Sequence, residues 1–267
     1  MRFQKWHGIG NAYLVVERGD VPLELTAPRV ERICHPDMGA GSDGILVLDP
    51  AVDGRTPVTI LNPDGSEAEF SGNGTRIAAG YLMRRDGVDE LTMATLKGDI
   101  RARRIGEEIE IDAGRAALDG PDHRPGAGAP PAERYTFVSV GNPHCVVEVD
   151  DPDVLDLRAV GEPIERHPWF PNRTNVEFYR PLEEHEIRMR VWERGAGETL
   201  SSGSGSTAAA VAAVVNGRAR APVTVRLDGG SLRIDIADDL AIRLTGPVEQ
   251  VHDGRFHADF MTSLESL

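Results

Sequence analysis

The sequence predicts an α+β fold of two pseudo-symmetric domains, each wrapping β-strands around a central helix. Three observations predict it. First, a shift of 131 residues superimposes several blocks of the chain. Gly10-Asn11 falls on Gly141-Asn142, Glu67 on Glu198, Ser71-Gly72-x-Gly74 on Ser202-Gly203-x-Gly205, and Ala78-Ala79 on Ala209-Ala210. Four blocks in order at one offset, about half the length, argue for two copies of one domain. Second, each half carries short β-rich runs. Third, each half carries one helix signal directly after its glycine motif.

Taken in order, the strand runs of the first half are Tyr13–Val16, Ile45–Leu48 and Val58–Leu61. Those of the second half are Val138–Val140, Val146–Val149 and Ile187–Val191. Val223–Leu227, Leu232–Ile236 and Ala241–Leu244 follow closely between turns. The first helix is expected over Gly74–Arg85, ending near Gly87, and the second over Gly205–Val215, ending at Asn216-Gly217. A glycine just past the last turn is the usual stop. The second helix, STAAAVAAVV, is apolar on every face and must be surrounded by protein. Residues 119–134 (DGPDHRPGAGAPPAER) are dense in Gly and Pro and read as a linker.

Charge and composition exclude several functions. The chain has 267 residues, with 29 Lys and Arg against 43 Asp and Glu, a formal charge of −14. Such a surface repels polyphosphate, so no nucleic-acid partner is expected. The longest apolar run is Ala208–Val215, far short of the roughly 20 residues a membrane helix needs. The N-terminus has no apolar signal core. The expectation is a soluble cytoplasmic protein. Two cysteines, Cys34 and Cys145, make no disulfide framework. The histidines are dispersed, with no His-x₃-His or Cys-x₂-Cys cluster, so no metal site is predicted. Gly195-Ala-Gly197-Glu-Thr-Leu200 breaks the dinucleotide fingerprint at its last glycine. No phosphate loop of the G-x₄-G-K-[ST] type occurs.

The two glycine loops carry the chemistry. SGNGTR (71–76) and SGSGST (202–207) each open a helix. Exposed N–H groups at a helix start bind anions, and the positive end of the dipole helps. If the halves face one another, a carboxylate fits between the loops, with Ser71 on one side of its α-carbon and Ser202 on the other. That arrangement suits proton removal from one face and delivery to the other, which is racemisation or epimerisation. The backbone donors would stabilise charge developing on the carboxylate. The plainer reading is that both serines are helix N-caps, a role serine favours.

Six segments resemble the diaminopimelate epimerase family: HGIGN (7–11), GAGSDG (39–44), NPDGSEAEFSGNGTR (62–76), GNPHCVV (141–147), FPNRTNVEF (170–178) and WERGAGETLSSGSG (192–205). They span nearly the whole chain, in order. The resemblance implies two domains, each a curved mixed β-sheet around a central helix, with the site between them. The corresponding division is 1–117 plus about 254–267, and 118–253. The resemblance further implies a homodimeric isomerase that interconverts LL- and meso-diaminopimelate for lysine and cell-wall precursor synthesis. It implies no cofactor, pyridoxal phosphate included. By the same resemblance Asn11, Asn62, Asn142 and Asn175 contact substrate, as do Gly72, Asn73, Gly203 and Ser204 of the loops. Glu193 and Arg194 match the pair that reads the far end of the substrate. An arginine there can grip the distal carboxylate at two points. His144 matches a histidine of the family's active-site region, without an assigned base role.

One departure matters. The family's two proton-transfer residues are cysteines, and the matching positions here are Ser71 and Ser202. A thiol ionises near pKa 8.5, and a hydroxyl lies far higher, much nearer bulk water. A gap of even five units is about 7 kcal/mol, or on the order of 10⁵ in rate, unless a neighbour takes the proton. Glu67 and Glu198, four residues before each serine, are candidate accessory groups. Three readings stay open: a natural member with activated serines, an engineered Cys-to-Ser pair, and a relative that only binds an amino acid or runs a different isomerase or lyase reaction.

Overall fold

The computed structural model describes residues 1–118 and 134–267. All of the expected linker except Arg134 lies outside the described residues. The chain divides into two compact units, Met1–Ile111 with Pro247–Leu267, and Asp112–Gly246.

The first unit runs β1 (Arg2–Gly8), β2 (Asn11–Glu17), α1 (Ala27–Cys34), β3 (Ile45–Leu48), β4 (Arg55–Leu61), α2 (Gly72–Asp86), β5 (Glu90–Thr95) and β6 (Gly98–Ile105). β7 (Glu108–Arg115) spans the point of division. The second unit continues with β8 (Ala117–Leu118), β9 (Tyr135–Ser139), β10 (Pro143–Glu148), α3 (Leu157–Glu165), β11 (Asn175–Glu183), β12 (Glu186–Glu193), β13 (Gly197–Thr199), α4 (Gly203–Val215), β14 (Val223–Leu227), β15 (Gly230–Ile236) and β16 (Ala241–Gly246). The chain then returns to the first unit through β17 (Glu249–Arg255) and α5 (Ala258–Glu265).

The duplication is visible in the strand pairings. In the first unit β1 to β2 is antiparallel, β2 to β3 parallel, β3 to β4 antiparallel, β4 to β5 parallel, and β5 to β6 and β6 to β7 antiparallel. In the second, β9 to β10 is antiparallel, β10 to β11 parallel, β11 to β12 antiparallel, β12 to β14 parallel, and β14 to β15 and β15 to β16 antiparallel. The senses repeat in the same order. Each unit also starts from a strand paired antiparallel to one more: β17 on β1, and β8 on β9.

Each mixed sheet wraps a helix, as expected. α2 packs on β1, β2, β3, β5 and β6. α4 packs on β9, β10, β11, β12, β14, β15 and β16. Ala208 to Ala213 are wholly buried in the second unit, which is why that helix needs no polar face. Both helices start two residues earlier than the sequence predicted, because the serines themselves are the caps. α2 stops at Gly87, whose left-handed backbone (φ 68°) lets its N–H close on the Met83 carbonyl. The short amphipathic helices α1 and α3 cover further apolar surface: Val30 and Ile33 enter one core, Leu157 and Ile164 the other. Cys34 and Cys145 sit in those two cores as free thiols. Burial pushes both up, away from the reactive thiolate.

Candidate functional site

The two glycine loops are built alike. Ser71 and Ser202 hold nearly identical extended backbones, φ −136° ψ 118° and φ −138° ψ 118°. Ser71 Oγ accepts from the Gly74 N–H at 3.0 Å, and Ser202 Oγ accepts from the Gly205 N–H at 3.2 Å. Each serine is therefore an N-cap of the expected kind. The N–H groups of Gly72, Gly203 and Ser204 precede the first intrahelical bond of their helices. Both loops thus begin a helix with a hydroxyl beside backbone donors, and a helix start of that kind can receive a carboxylate.

The second contact of each serine differs. In the first unit the Tyr13 hydroxyl lies 3.0 Å from Ser71 Oγ. In the second, Ser202 donates to Glu193 Oε2 at 3.0 Å, while Thr199 donates to Glu193 Oε1 at 2.6 Å. Burial pushes the Glu193 carboxyl above the usual range, and the bonds from Thr199 and Ser202 pull it partly back. A carboxylate with a raised pKa is a better proton acceptor than an ordinary one.

Beside it lies a buried histidine–carboxyl pair. His144 Nδ1 is 2.7 Å from Glu177 Oε1, and both side chains are fully buried. His144 Nε2 is 3.0 Å from Asn142 Oδ1. The second oxygen of Glu177 has no hydrogen-bond partner among the described residues, and burial raises the Glu177 carboxyl against the opposing pull of His144. Glu177 went unnoticed in the sequence, where it is one polar letter in a strand. A signal existed: alternation puts it on the same face as Asn175.

The offset of 131 residues relates these groups. It carries Tyr13 to His144, Leu46 to Glu177, Asn62 to Glu193 and Asn11 to Asn142. The duplicated frame is retained while the side chains have diverged.

The remaining expected residues fall as follows. Asn11 donates to Asp43 Oδ2 at 3.0 Å and accepts from Asn73 at 3.2 Å. Asn73 in turn accepts from buried Arg76, which also donates to the Gly72 carbonyl at 3.1 Å. Burial pulls the Arg76 guanidinium down to about 10. Asn62 donates to Ser66 Oγ at 2.9 Å, holding the turn before the loop. Asn175 donates to the Pro143 carbonyl and accepts from the Arg194 N–H. Glu193 and Arg194 diverge: the carboxylate turns to Ser202, and the exposed guanidinium donates to the Asn172 carbonyl. Arg194 has no carboxylate partner among the described residues. Glu67 and Glu198 are both exposed. Glu198 pairs with Arg190, and the carboxylate that meets Ser202 is Glu193 instead. Among the described residues no cluster of three His, Cys, Asp or Glu side chains could hold a metal ion. No described helix is long and apolar enough to cross a membrane.

Comparison with known proteins gives a consistent result. The family profile described as diaminopimelate epimerase matches residues 3–118 and 136–251. The diaminopimelate epimerase of Moorella thermoacetica is 41% identical over 280 residues, covering 97% of this chain and 100% of that protein. That of Pelotomaculum thermopropionicum is 39% identical, covering 96% and 99%. Among solved structures, a predicted epimerase from Pseudomonas aeruginosa matches with a TM-score of 0.70 at 18% identity, over 96% of this chain and 98% of that one. A probable proline racemase from Agrobacterium radiobacter matches with a TM-score of 0.72 at 18% identity, over 97% and 93%. These structural likenesses establish the fold.

Proposed function

The chain belongs to the diaminopimelate epimerase family, and from that premise we propose that it is a cofactor-independent isomerase interconverting LL- and meso-diaminopimelate by two-base α-proton transfer. Ser71 and Ser202 are the proton-transfer groups of this proposal, where the resemblance places cysteines. The observation that carries it is the matched pair of capped loops, each presenting a serine hydroxyl at the N-terminus of a helix. In the proposed reaction the loop donors hold the α-carboxylate and stabilise the charge that builds on it as the α-proton leaves. Ser202 takes that proton while its own hydrogen passes to Glu193. Ser71 supplies a proton to the opposite face. Arg194 holds the distal carboxylate, with Asn62 and Asn175 as neighbouring polar contacts. A homodimer in the cytoplasm, serving lysine and cell-wall precursor synthesis, belongs to the same reading.

A second reading rests on the same oxygen atoms. Both hydroxyls already serve as caps, and a chain in which they only cap binds diaminopimelate without turning it over. Proton NMR with LL-diaminopimelate in D₂O separates the two. Loss of the α-proton signal together with meso product, abolished by Ser71→Ala or Ser202→Ala, is the expected result. Calorimetric binding with no exchange over a day overturns the epimerase reading in favour of binding alone.

A further inference from the structure

Resting on that reading, we propose that the Tyr13 phenol is the proton store behind Ser71, so that the first loop works as a tyrosine–serine relay. The problem it solves is chemical. An alcohol, far less acidic than a thiol, is a poor acid for an α-carbanion when nothing stabilises its alkoxide. At the second loop Glu193 meets Ser202. At the first, the repeat-related position of Glu193 is Asn62, whose side chain is engaged with Ser66. Among the described residues neither Glu67 nor another carboxylate bonds Ser71; Tyr13 does, at 3.0 Å.

Tyr13 is placed for this task. It is buried in β2, and its ring occupies space that only a glycine at position 44 leaves open. A Cβ there would lie 2.6 Å from Tyr13 Cε1 and 2.4 Å from the Leu61 carbonyl. Gly44 also has φ 154°, so it serves both backbone and clearance. Ser71 Oγ receives the Gly74 N–H. In the relay the phenol is the second donor on that oxygen, and the serine hydrogen then points away from both.

The step balances without a co-reactant. The Ser71 O–H bond breaks as the α-carbon takes its hydrogen, and Ser71 Oγ takes the phenolic hydrogen of Tyr13. The carbanion is neutralised and a phenolate remains. A phenol's ordinary pKa is about 10, so the relay replaces an alkoxide with a far more stable anion. Taken with the transfer from the opposite face through Ser202, one proton has moved from Tyr13 to Glu193. The reverse reaction, or exchange with water, restores both. Tyr13 acts through Ser71 and is a positioning residue for it.

The test is a double-mutant cycle. Tyr13→Phe removes one oxygen and leaves the ring. With Ser71 present, the loss in kcat for diaminopimelate epimerisation is expected to be about 10²–10³-fold, with calorimetric substrate affinity unchanged. In a Ser71→Cys background the cost shrinks to a few-fold, because a thiol near pKa 8.5 needs no phenol behind it. A purely structural tyrosine costs the same in both backgrounds, and that equality would overturn the relay while leaving the epimerase reading intact. A wild-type protein that binds without exchange removes the parent reading first, and the relay with it.

Discussion

Ser202 and Glu193 share one hydrogen across 3.0 Å, at the N-terminus of α4. The contact joins the end of β12 to the cap of α4, and it gives an alcohol the acceptor it lacks on its own. Glu193→Gln is expected to lower α-proton exchange by about 10²–10⁴-fold. The pH dependence has a definite sign. Burial raises the Glu193 carboxyl, and only the ionised form accepts a proton. Activity in the native protein therefore falls as pH drops through a value above the ordinary glutamate pKa of about 4.3. The glutamine variant loses that limb. A kcat/KM profile against pH checks both statements.

The His144–Glu177 pair predicts an inverted response to acid. His144→Ala leaves the buried Glu177 carboxyl without its histidine partner, which costs about 1–3 kcal/mol at neutral pH. Glu177 already has a folded-state pKa above its ordinary value. A carboxyl of that kind binds more protons folded than unfolded. Its unfavourable contribution grows as pH rises from the unfolded value through the folded one, and shrinks as pH falls. The destabilisation of His144→Ala relative to the parent is therefore smaller at pH 5.5 than at pH 7. Urea denaturation at the two pH values decides it, and an equal or larger gap in acid contradicts the charged-carboxyl account.

Arg194 separates binding from folding. Its guanidinium is exposed and holds one backbone carbonyl, so Arg194→Ala is expected to change stability by less than about 0.5 kcal/mol. Loss of a charge-assisted contact to the distal carboxylate, about 1.5–3 kcal/mol, raises KM by roughly 10- to 150-fold. Steady-state kinetics and a melting curve on one preparation test this. A variant that melts early with unchanged KM assigns the arginine to structure instead.

How much of this was legible depended on whether a residue's role was local. Ser71 and Ser202 could be read as caps because capping is settled within four residues of chain. The 131-residue repeat could be read because glycine, serine and alanine are constrained by backbone and close packing in both copies. β1 and β17 were not legible: RFQKWHG and EQVHDGR are mostly polar, and their strand character comes from pairing with each other at opposite ends of the chain. The same holds in the site. Tyr13 reaches Ser71 across 58 residues, and Glu177 reaches His144 across 33. Glu198 is nearer to Ser202 in sequence than Glu193 is, yet the antiparallel pairing of β12 and β13 aims Glu193 at the serine. Proximity along the chain favoured the wrong carboxylate for that contact.

The divergence of the two copies gives a prediction that neither copy gives alone. Gly74 and Gly205 occupy the same place, three residues after their serines. A Cβ on Gly74 would meet Leu46 Cδ2 at 3.2 Å and Ser71 Oγ at 3.2 Å. A Cβ on Gly205 would meet Glu177 Oε1 at 2.9 Å and Ser202 Oγ at 3.0 Å. Leu46 and Glu177 are themselves repeat-related, so the two substitutions probe one geometry with two neighbours. A leucine methyl can give way by a rotamer adjustment. The Glu177 oxygen cannot move without loosening its 2.7 Å bond to His144 inside a fully buried pair. Gly205→Ala is therefore expected to cost about 1–3 kcal/mol, the range for overpacking a filled core, and Gly74→Ala clearly less. Unfolding of the two single variants side by side measures the difference. Equal costs would mean that the serine, common to both, sets the penalty, and that the buried His144–Glu177 pair is softer than its geometry implies.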